Sequence, residues 1–241
     1  MQNLQPPDAD ALAHSAHLRE VIQEQAIAAG GSLPFWKFME LTLYAPGLGY
    51  YSAGATKFGD AGDFVTAPEL SPLFAACVAD ALTPVLQQLG PDAQFMEIGG
   101  GSGAFAETCL SKLLANDALP ARYAILEPSA DLRQRQRERL RERLAPEVFQ
   151  RVRWLQSPIQ ERWNGVLFAN EVIDALPTPR FTIRDGDVFE EHVALDGEGR
   201  FLRTDRPADP MLAAAVRHVE HQLPEPFADG YRSELLAQLP Y

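Results

Sequence analysis

The sequence predicts an α/β protein whose central part is a parallel sheet. Between residues 94 and 169, short apolar segments of strand length alternate with segments of helical periodicity. Strands that are separated by helices need crossover connections and therefore run parallel in one sheet. The 241 residues are 46% hydrophobic and 22% charged, as in ordinary globular proteins. This composition excludes a disordered chain, a collagen-like repeat and a disulfide-rich scaffold.

The net charge of −12 limits the classes of partner that the chain can bind. Nucleic acid and anionic lipid both attract proteins that carry surplus cations, and this sequence lacks such a surplus. We therefore expect no nucleic-acid partner. The uninterrupted apolar runs are short, so we also expect no membrane span.

The two cysteines, Cys77 and Cys109, lie in apolar helical patterns without a Cys/His cluster around either. We predict that both are buried free thiols and that the protein holds no metal. The N-terminus has neither the basic start nor the apolar core of a secretory signal, and Asp8 and Asp10 oppose a mitochondrial presequence. We expect a bacterial cytoplasmic protein, mitochondrial only if the source is eukaryotic.

Residues 1–90 are predicted to form an N-terminal helical region. Ser32 can cap its second helix with Pro34 in the first turn, and Ser71 can cap the third. Residues 47–70 are rich in glycine and aromatic residues and show no clean period, which indicates a long lid loop. The helices are predicted over residues 9–29, 32–44 and 72–89.

Residues 91–178 are predicted to form the core of the parallel sheet. The helix at 131–144 is rich in arginine and has an apolar stripe of Leu132, Leu140 and Leu144. A solvated amphipathic helix is the simplest interpretation, and an acidic protein partner is the alternative. The strands are predicted at Gln94–Ile98, Arg122–Leu126, Val152–Leu155 and Gly165–Ala169, and the helices at 105–114 and 131–144.

Residues 179–206 are predicted to form an antiparallel β-meander, and residues 207–241 a C-terminal helical segment. Asp185-Gly186 and the glycines at 197–199 are hairpin signals between segments of alternating polarity. The meander strands are predicted over residues 180–184, 188–195 and 201–203, and the helices over 211–223 and 234–239.

A glycine-rich turn carries the clearest chemical signal. It begins after Glu97 at the end of the first predicted parallel strand and contains Gly99, Gly101 and Gly103 before a helix. Glycines let the backbone approach a ligand, and the first turn of the helix offers free N–H donors. Glu127 ends the next strand, where a carboxylate can accept hydrogen bonds from both hydroxyls of a ribose.

Two cofactors compete for this turn. The glycine spacing fits the dinucleotide fingerprint, and together with Glu97 it also fits the pattern of S-adenosylmethionine (SAM) enzymes. The pyrophosphate of a dinucleotide would lie near a carboxylate that repels it, whereas SAM carries an ammonium and a sulfonium that suit one. The sequence favours SAM. A dinucleotide and an unliganded glycine turn stay open as alternatives.

Polar residues follow the last of the four predicted parallel strands. Ligands of open α/β sheets bind beyond the carboxyl ends of the strands, where the strand order reverses. Asn170 and Glu171 directly follow the strand, and Asp174 comes shortly after, so we predict that they belong to a site. Asn170 or Asp174 could instead cap the next helical turn.

Three sequence blocks resemble the MidA-like family, which includes the mitochondrial complex I assembly-factor arginine methyltransferases. The glycine turn is shared by many methyltransferases, but the first and third blocks are more specific in their order and spacing. The resemblance covers about residues 30–240. Its three blocks are residues 49–71, 97–103 and 169–177.

The resemblance implies a Rossmann-like class I SAM-dependent methyltransferase with an N-terminal helical region and a β-meander insertion. It implies SAM as the cofactor and a protein arginine, for example in a respiratory complex I subunit, as the substrate. A homodimer is a further expectation. The family continues beyond the motif that residues 231–234 resemble, so we expect a C-terminally truncated chain whose sheet is incomplete and has Gly165–Ala169 at its edge.

Methyl transfer assigns roles to the residues that the motifs contain. A charged guanidinium needs a carboxylate that pairs with it and accepts its proton. Glu171 is the first choice for this role. The other acidic candidates are Asp174, Asp63 and Glu69, although Asp63 could be a turn acid and Glu69 an acid at a helix start.

The remaining candidate residues are predicted to bind the cofactor or to form the lid. Glu97 and the glycine backbone would hold the methionine end of SAM, Glu127 the ribose, and Asn170 would contribute from the neighbouring strand. The lid is predicted to span residues 62–69 and to include Gly62, Phe64 and Thr66, with Phe64 and Tyr51 excluding water. Two alternatives remain: a non-catalytic assembly protein with a methyltransferase fold, and an NAD(P)-dependent oxidoreductase.

Overall fold

The chain forms two compact units in the computed structural model, which describes residues 7–52, 66–157, 159 and 161–236. One unit, here called the meander unit, combines Met1–Ala53 with Leu176–Tyr241. The other, the parallel-sheet unit, is the continuous segment Gly54–Ala175. The meander unit is thus built from both ends of the chain.

The meander unit begins with two helices that are joined by a short strand. Asp8 caps the first helix by accepting the Ala11 N–H at 2.8 Å. The predicted start of the second helix is wrong: Ser32–Pro34 is a strand that pairs antiparallel with residues 192–194. Pairing with a distant strand here overrides the local capping signal. The elements are α1 (Ala9–Ala28), β1 (Ser32–Pro34) and α2 (Phe35–Tyr44).

The antiparallel meander forms as predicted, with a longer third strand. Asp185 and Gly186 both have positive φ angles, as a two-residue hairpin turn requires. The middle strand pairs with the strands before and after it and with β1. These strands are β6 (Arg180–Arg184), β7 (Asp187–Leu195) and β8 (Phe201–Pro207).

The described part of the C-terminal segment, residues 207–236, contains one helix, α8 (Pro210–Glu220), and one short strand, β9 (Arg232–Glu234). The predicted helix at 234–239 is wrong at its start, because Glu234 pairs with Arg180 of β6. The Leu235 N–H donates to the Pro179 carbonyl at 3.1 Å and extends this pairing. Residues 237–239 lie outside the described part of the chain.

Among its described residues, the parallel-sheet unit has four parallel strands, numbered β2 to β5 along the chain, which lie side by side in the order β4-β3-β2-β5. Ile98 is level with Leu126 on one side and with Ala169 on the other. The residues that follow these three strands therefore meet at one edge of the sheet. β5 is the edge strand of the described sheet, and Leu167 within it is 56% exposed. The strands match the prediction: β2 (Gln94–Ile98), β3 (Arg122–Leu126), β4 (Val152–Leu155) and β5 (Gly165–Ala169).

Helices cover this sheet and bury one large apolar core. Ser71 caps α4 by accepting the Leu73 N–H at 3.1 Å, as its sequence predicts. Cys109 of α5 is buried as expected, but Cys77 of α4 is exposed, which corrects the prediction of two buried thiols. The helices are α3 (Ala67–Leu70), α4 (Pro72–Leu89), α5 (Ala104–Ala115), α6 (Ala130–Arg143) and α7 (Pro146–Phe149), with a 3₁₀ turn at Ile173–Ala175.

Helix α4 explains why Cys77 is exposed. The fully buried residues of α4 are the small Ala75 and Ala79 together with Leu86, larger residues such as Phe74 pack beside them only partly buried, and Leu73 is exposed. Small side chains let a helix approach its neighbour closely, so the buried face of α4 is shifted from the face that its larger apolar residues mark.

By length and composition alone, α4 is apolar enough to cross a membrane, with a mean hydropathy of 1.2. This differs from the expectation based on uninterrupted apolar runs, because Asp80 interrupts the run whereas the mean hydropathy averages it with the apolar residues around it. One such helix is weak support for a membrane span, because core helices of globular proteins pass the same test. Part of α4 packs into the core of the parallel-sheet unit.

Candidate functional site

The glycine turn joins β2 to α5 at the carboxyl edge of the sheet. Gly99, Gly101 and Gly103 all have positive φ angles, which other residues adopt only at a cost. A Cβ on Gly99 would lie 2.8 Å from Cγ2 of Val172, in the segment that follows β5. The turn therefore packs directly against the residues after the edge strand, as the strand register requires.

Glu97 lies at the end of β2 and is almost fully buried, at 3% exposure. Burial raises the pKa of its carboxyl to about 7, the hydrogen bond from Tyr123 opposes this rise, and the negative charge of Glu127 adds to it. The Tyr123 hydroxyl donates to Oε2 at 2.8 Å. Glu97 is thus poised between its neutral and ionised forms, and a cation beside it would favour the ionised form.

Glu127 follows β3 and is also buried. Its Oε1 accepts the Ser129 N–H at 3.0 Å. Burial raises the pKa of this carboxyl, while hydrogen bonds from Ser129 and Gln136 oppose the rise. The two acids that the sequence assigned to the cofactor therefore lie at the same sheet edge, on neighbouring strands.

Helix α6 holds the glycine turn through residues that sequence reasoning missed. Arg139 donates to the Ser102 hydroxyl at 3.1 Å and forms an ion pair with Glu107 at 2.7 Å. Gln136 donates to the carbonyl of Gly101 at 2.9 Å. One signal could have found Gln136, because it lies four residues from both Leu132 and Leu140 and is therefore a polar residue on the apolar stripe.

Of the predicted lid residues, Glu69 contacts the glycine turn. The Ser102 hydroxyl donates to its carboxylate, so Glu69 shares one hydroxyl with Arg139. Thr66 precedes α3 and is half-buried, and no side-chain capping bond forms there. The predicted residues Gly62, Asp63 and Phe64 lie outside the described residues.

Tyr51 belongs to the meander unit. Its ring stacks on Tyr44 with centroids 5.5 Å apart and meets Tyr50 edge-on at 5.0 Å. Its role as a water-excluding residue stays a prediction.

The segment after β5 holds the remaining predicted residues. Asn170 is half-buried, and Glu171 and Asp174 are exposed. Glu171 has a φ of 52°, a left-handed conformation that is uncommon for any residue other than glycine. Such strain costs about 1–3 kcal/mol and recurs at functional sites. Glu171 is therefore an exposed carboxylate on an unusual backbone, next to the residue that packs on Gly99.

A family model described as S-adenosyl-L-methionine-dependent methyltransferase matches residues 77–240. The chain belongs to this methyltransferase family. The matched region contains both buried acids, the glycine turn and the segment after β5. SAM is accordingly the cofactor, and the dinucleotide alternative is set aside.

Two solved structures of the COG1565 superfamily from Burkholderia thailandensis resemble this methyltransferase family member. One, bound to S-adenosyl-homocysteine, is 41% identical, has a TM-score of 0.81, and is matched over 97% of this chain and 59% of its own. The other, a native crystal structure, is 39% identical with a TM-score of 0.78, over 97% and 58% of the two chains.

Curated relatives extend the similarity to eukaryotes. Two are named protein arginine methyltransferase NDUFAF7 homolog, mitochondrial. The Drosophila melanogaster protein is 28% identical over 75% of this chain and 46% of its own length. The Caenorhabditis elegans protein is 25% identical over 84% of this chain and 52% of its own. The chain spans about half the length of these relatives.

The residues at the sheet edge fit a cationic cofactor. Two buried carboxylates, on Glu97 and Glu127, border a turn whose glycines leave the backbone open to a ligand. A buried carboxylate is stabilised by a nearby cation, whereas polyphosphate would add negative charge beside two acids. Glu97 would hold the ammonium end of the cofactor and Glu127 its ribose hydroxyls.

Proposed function

We propose that this methyltransferase family member transfers a methyl group from SAM to an arginine side chain of a protein substrate. The names of the curated relatives support the arginine acceptor. The observation that carries the proposal is the exposed carboxylate of Glu171, on a left-handed backbone beside the glycine turn. An acceptor that keeps its positive charge at neutral pH needs such a group.

The chemistry assigns Glu171 three tasks. SAM supplies a methyl group on a sulfonium, which is open to attack from the side opposite the sulfur. Glu171 would pair with the guanidinium and hold one nitrogen in line with that methyl. As the N–C bond forms and the S–C bond breaks, the nitrogen loses a proton, and Glu171 would accept it.

Replacing Glu171 with glutamine tests this role. The amide keeps the size of the side chain but cannot accept the proton or balance the charge. We expect methylation of an arginine peptide library to fall by about 10²–10⁴-fold. We expect the SAM dissociation constant in isothermal titration to stay within about twofold, because Glu171 is not assigned to the cofactor. Mass spectrometry of the peptides measures the product.

The exposed Glu225, in the meander unit, provides the matched control. Glu225→Gln makes the same chemical change and should methylate like the native chain. Undiminished turnover in Glu171→Gln would assign the proton to another group. Methylation of lysine peptides alone would overturn the arginine acceptor, and SAM binding without methylation of any peptide would favour the non-catalytic assembly protein.

The partner and location are finer proposals of the same kind. We propose a subunit of respiratory complex I as the substrate, a homodimeric enzyme, and a cytoplasmic location in a bacterium. The motif resemblance supports the first of these, whereas the names of the relatives support a protein arginine acceptor and no particular protein. Incubating purified complex I subunits with the chain and labelled SAM would identify the substrate, and light scattering would give the oligomeric state.

A further inference from the structure

A buried amide on the arginine-rich helix contacts two parts of the cofactor site, the glycine turn and Glu127, and also Trp154 of β4. We propose that Gln136 is a positioning residue, which sets the carboxylate of Glu127 and the carbonyl of Gly101 so that the site can receive the ribose of the cofactor. The proposal rests on the SAM site of the family and is independent of the arginine acceptor. Gln136 is 0% exposed, although its helix is dominated by charged residues.

The chemistry of its partners fixes the orientation of the Gln136 amide. The Trp154 indole can only donate, so the amide oxygen must face it, at 2.9 Å from Nε1. The carbonyl of Gly101 can only accept, so the amide nitrogen must face it, also at 2.9 Å. With the amide in this orientation, Nε2 also lies 3.5 Å from Oε2 of Glu127. All three contacts agree on one orientation.

The surroundings of Gln136 leave little room for another arrangement. A Cβ on Gly100 would lie 3.0 Å from Nε2, so the glycine turn closes directly onto the amide. The Arg137 guanidinium lies over the Trp154 ring at 4.6 Å and covers the indole. An amide buried without partners would cost free energy, and here its donor and acceptor sides are both satisfied.

The contact with Gln136 affects which lone pairs of the Glu127 carboxylate stay open to a ligand. A carboxylate has about four acceptor positions. Oε1 accepts the Ser129 N–H, and Oε2 faces Gln136, so each oxygen keeps an acceptor position for a ligand hydroxyl. Because Ser129 holds Oε1 and the Gln136 amide lies beside Oε2, Gln136 limits the rotation of the carboxylate and so the directions of the remaining lone pairs.

Binding of two related ligands can distinguish a positioning role of Gln136 from general structural support. S-adenosylhomocysteine and its 2′-deoxy analogue differ only in one of the two ribose hydroxyls that Glu127 is expected to bind. We expect Gln136→Met, which keeps the length of the side chain, to weaken binding of S-adenosylhomocysteine about tenfold. We also expect the native preference for the hydroxylated ligand to shrink at least threefold. Isothermal titration measures both constants.

The control is Gln134→Met, two residues away on the exposed side of the same helix. It should bind both ligands like the native chain. Equal weakening of both ligands in Gln136→Met, with the native preference retained, would reduce Gln136 to structural support and overturn the proposal. Unchanged binding of both ligands would also overturn it.

If Gln136→Met does not fold, Trp154→Phe provides a second variant for the same binding experiment. This change retains Gln136 but removes the donor that orients its amide, so the preference for the hydroxylated ligand should again shrink, by a smaller factor. A retained preference would overturn the proposal. If the native chain binds neither ligand, the cofactor site itself is wrong and the role of Gln136 falls with it, whereas failure of the arginine acceptor leaves these results unaffected.

Discussion

At the scale of single residues, the site depends on carboxylates whose surroundings set their charge. Glu97 and Glu127 are buried without an ion-pair partner among the described contacts, and burial raises the pKa of both. In contrast, Glu171 and Asp174 are exposed. The proposed site thus combines two buried acids, whose ionised form a cationic cofactor would favour, with two exposed acids.

Glu97 predicts a pH dependence of stability. Its pKa is about 7 in the folded chain and near 4.5 in the unfolded chain, so the folded state holds the proton more tightly. The stabilisation is complete below about pH 4.5 and is lost as the pH rises to about 7, with a size of about 3 kcal/mol. Urea unfolding of the ligand-free chain between pH 5 and 8 measures this change.

In Glu97→Gln, the free energy of unfolding should lose the part of its pH dependence that comes from Glu97, because glutamine does not titrate. Glu225→Gln is the control and should keep the native slope. The same slope in Glu97→Gln and in the native chain would show that Glu97 is not the group that titrates.

At the scale of elements, the site is made by the register of β2, β3 and β5. Their last residues are level, so Gly99, Glu127 and Asn170 leave the sheet at one edge. Helix α6 then holds the glycine turn in place through hydrogen bonds from Gln136 and Arg139. The segment after β5 packs on the glycine turn through Val172, so the turn is held both by this segment and by α6.

Alanine substitutions at two glycines of the turn distinguish the cost of a steric clash from the cost of backbone strain. Gly99 and Gly101 both have positive φ angles, but only a Cβ at Gly99 meets another residue, at 2.8 Å. Gly101→Ala should cost about 1–2 kcal/mol of unfolding free energy from strain alone. Gly99→Ala should cost roughly 2 kcal/mol more, because Val172 must move. Chemical denaturation measures both values, and equal losses would show that Val172 moves aside freely.

At the scale of the whole molecule, the meander unit is built from the two ends of the chain. β1 near the N-terminus pairs with β7, more than half the chain away. Leu33 in β1 is 4% exposed and packs with Ile22 and Ala26 of α1. The N-terminal segment is therefore part of the meander's structure.

Leu33→Ala tests this connection. Removing a buried leucine typically costs about 2–5 kcal/mol, and the loss should appear in the meander. Amide hydrogen exchange should speed up at residues 192–194 of β7. Leu12→Ala, at a position that is 56% exposed, is the control and should change stability by less than about 0.5 kcal/mol. Unchanged exchange at residues 192–194 in Leu33→Ala would contradict the connection.

The sequence by itself determined the parallel strands, the glycine turn with its two acids, and the β-hairpins. These features depend on local patterns: runs of apolar residues, glycines where φ must be positive, and turn residues between strands. For that reason the predicted bounds of β2 to β6 agree with the structure. The motif resemblance also led to the methyltransferase family that the comparisons show.

Only the tertiary structure decided the features that depend on distant partners. Ser32–Pro34 and Arg232–Glu234 became strands because they pair with β7 and β6, although local patterns had indicated helix starts at Ser32 and at Glu234. Likewise Cys77 faces solvent because the small residues of α4 pack on the core. The sequence could not predict what the buried Gln136 contacts, because its partners Gly101, Glu127 and Trp154 come from other parts of the chain. Hydrogen bonds and packing between residues far apart in sequence leave no local pattern, and only the folded chain reveals them.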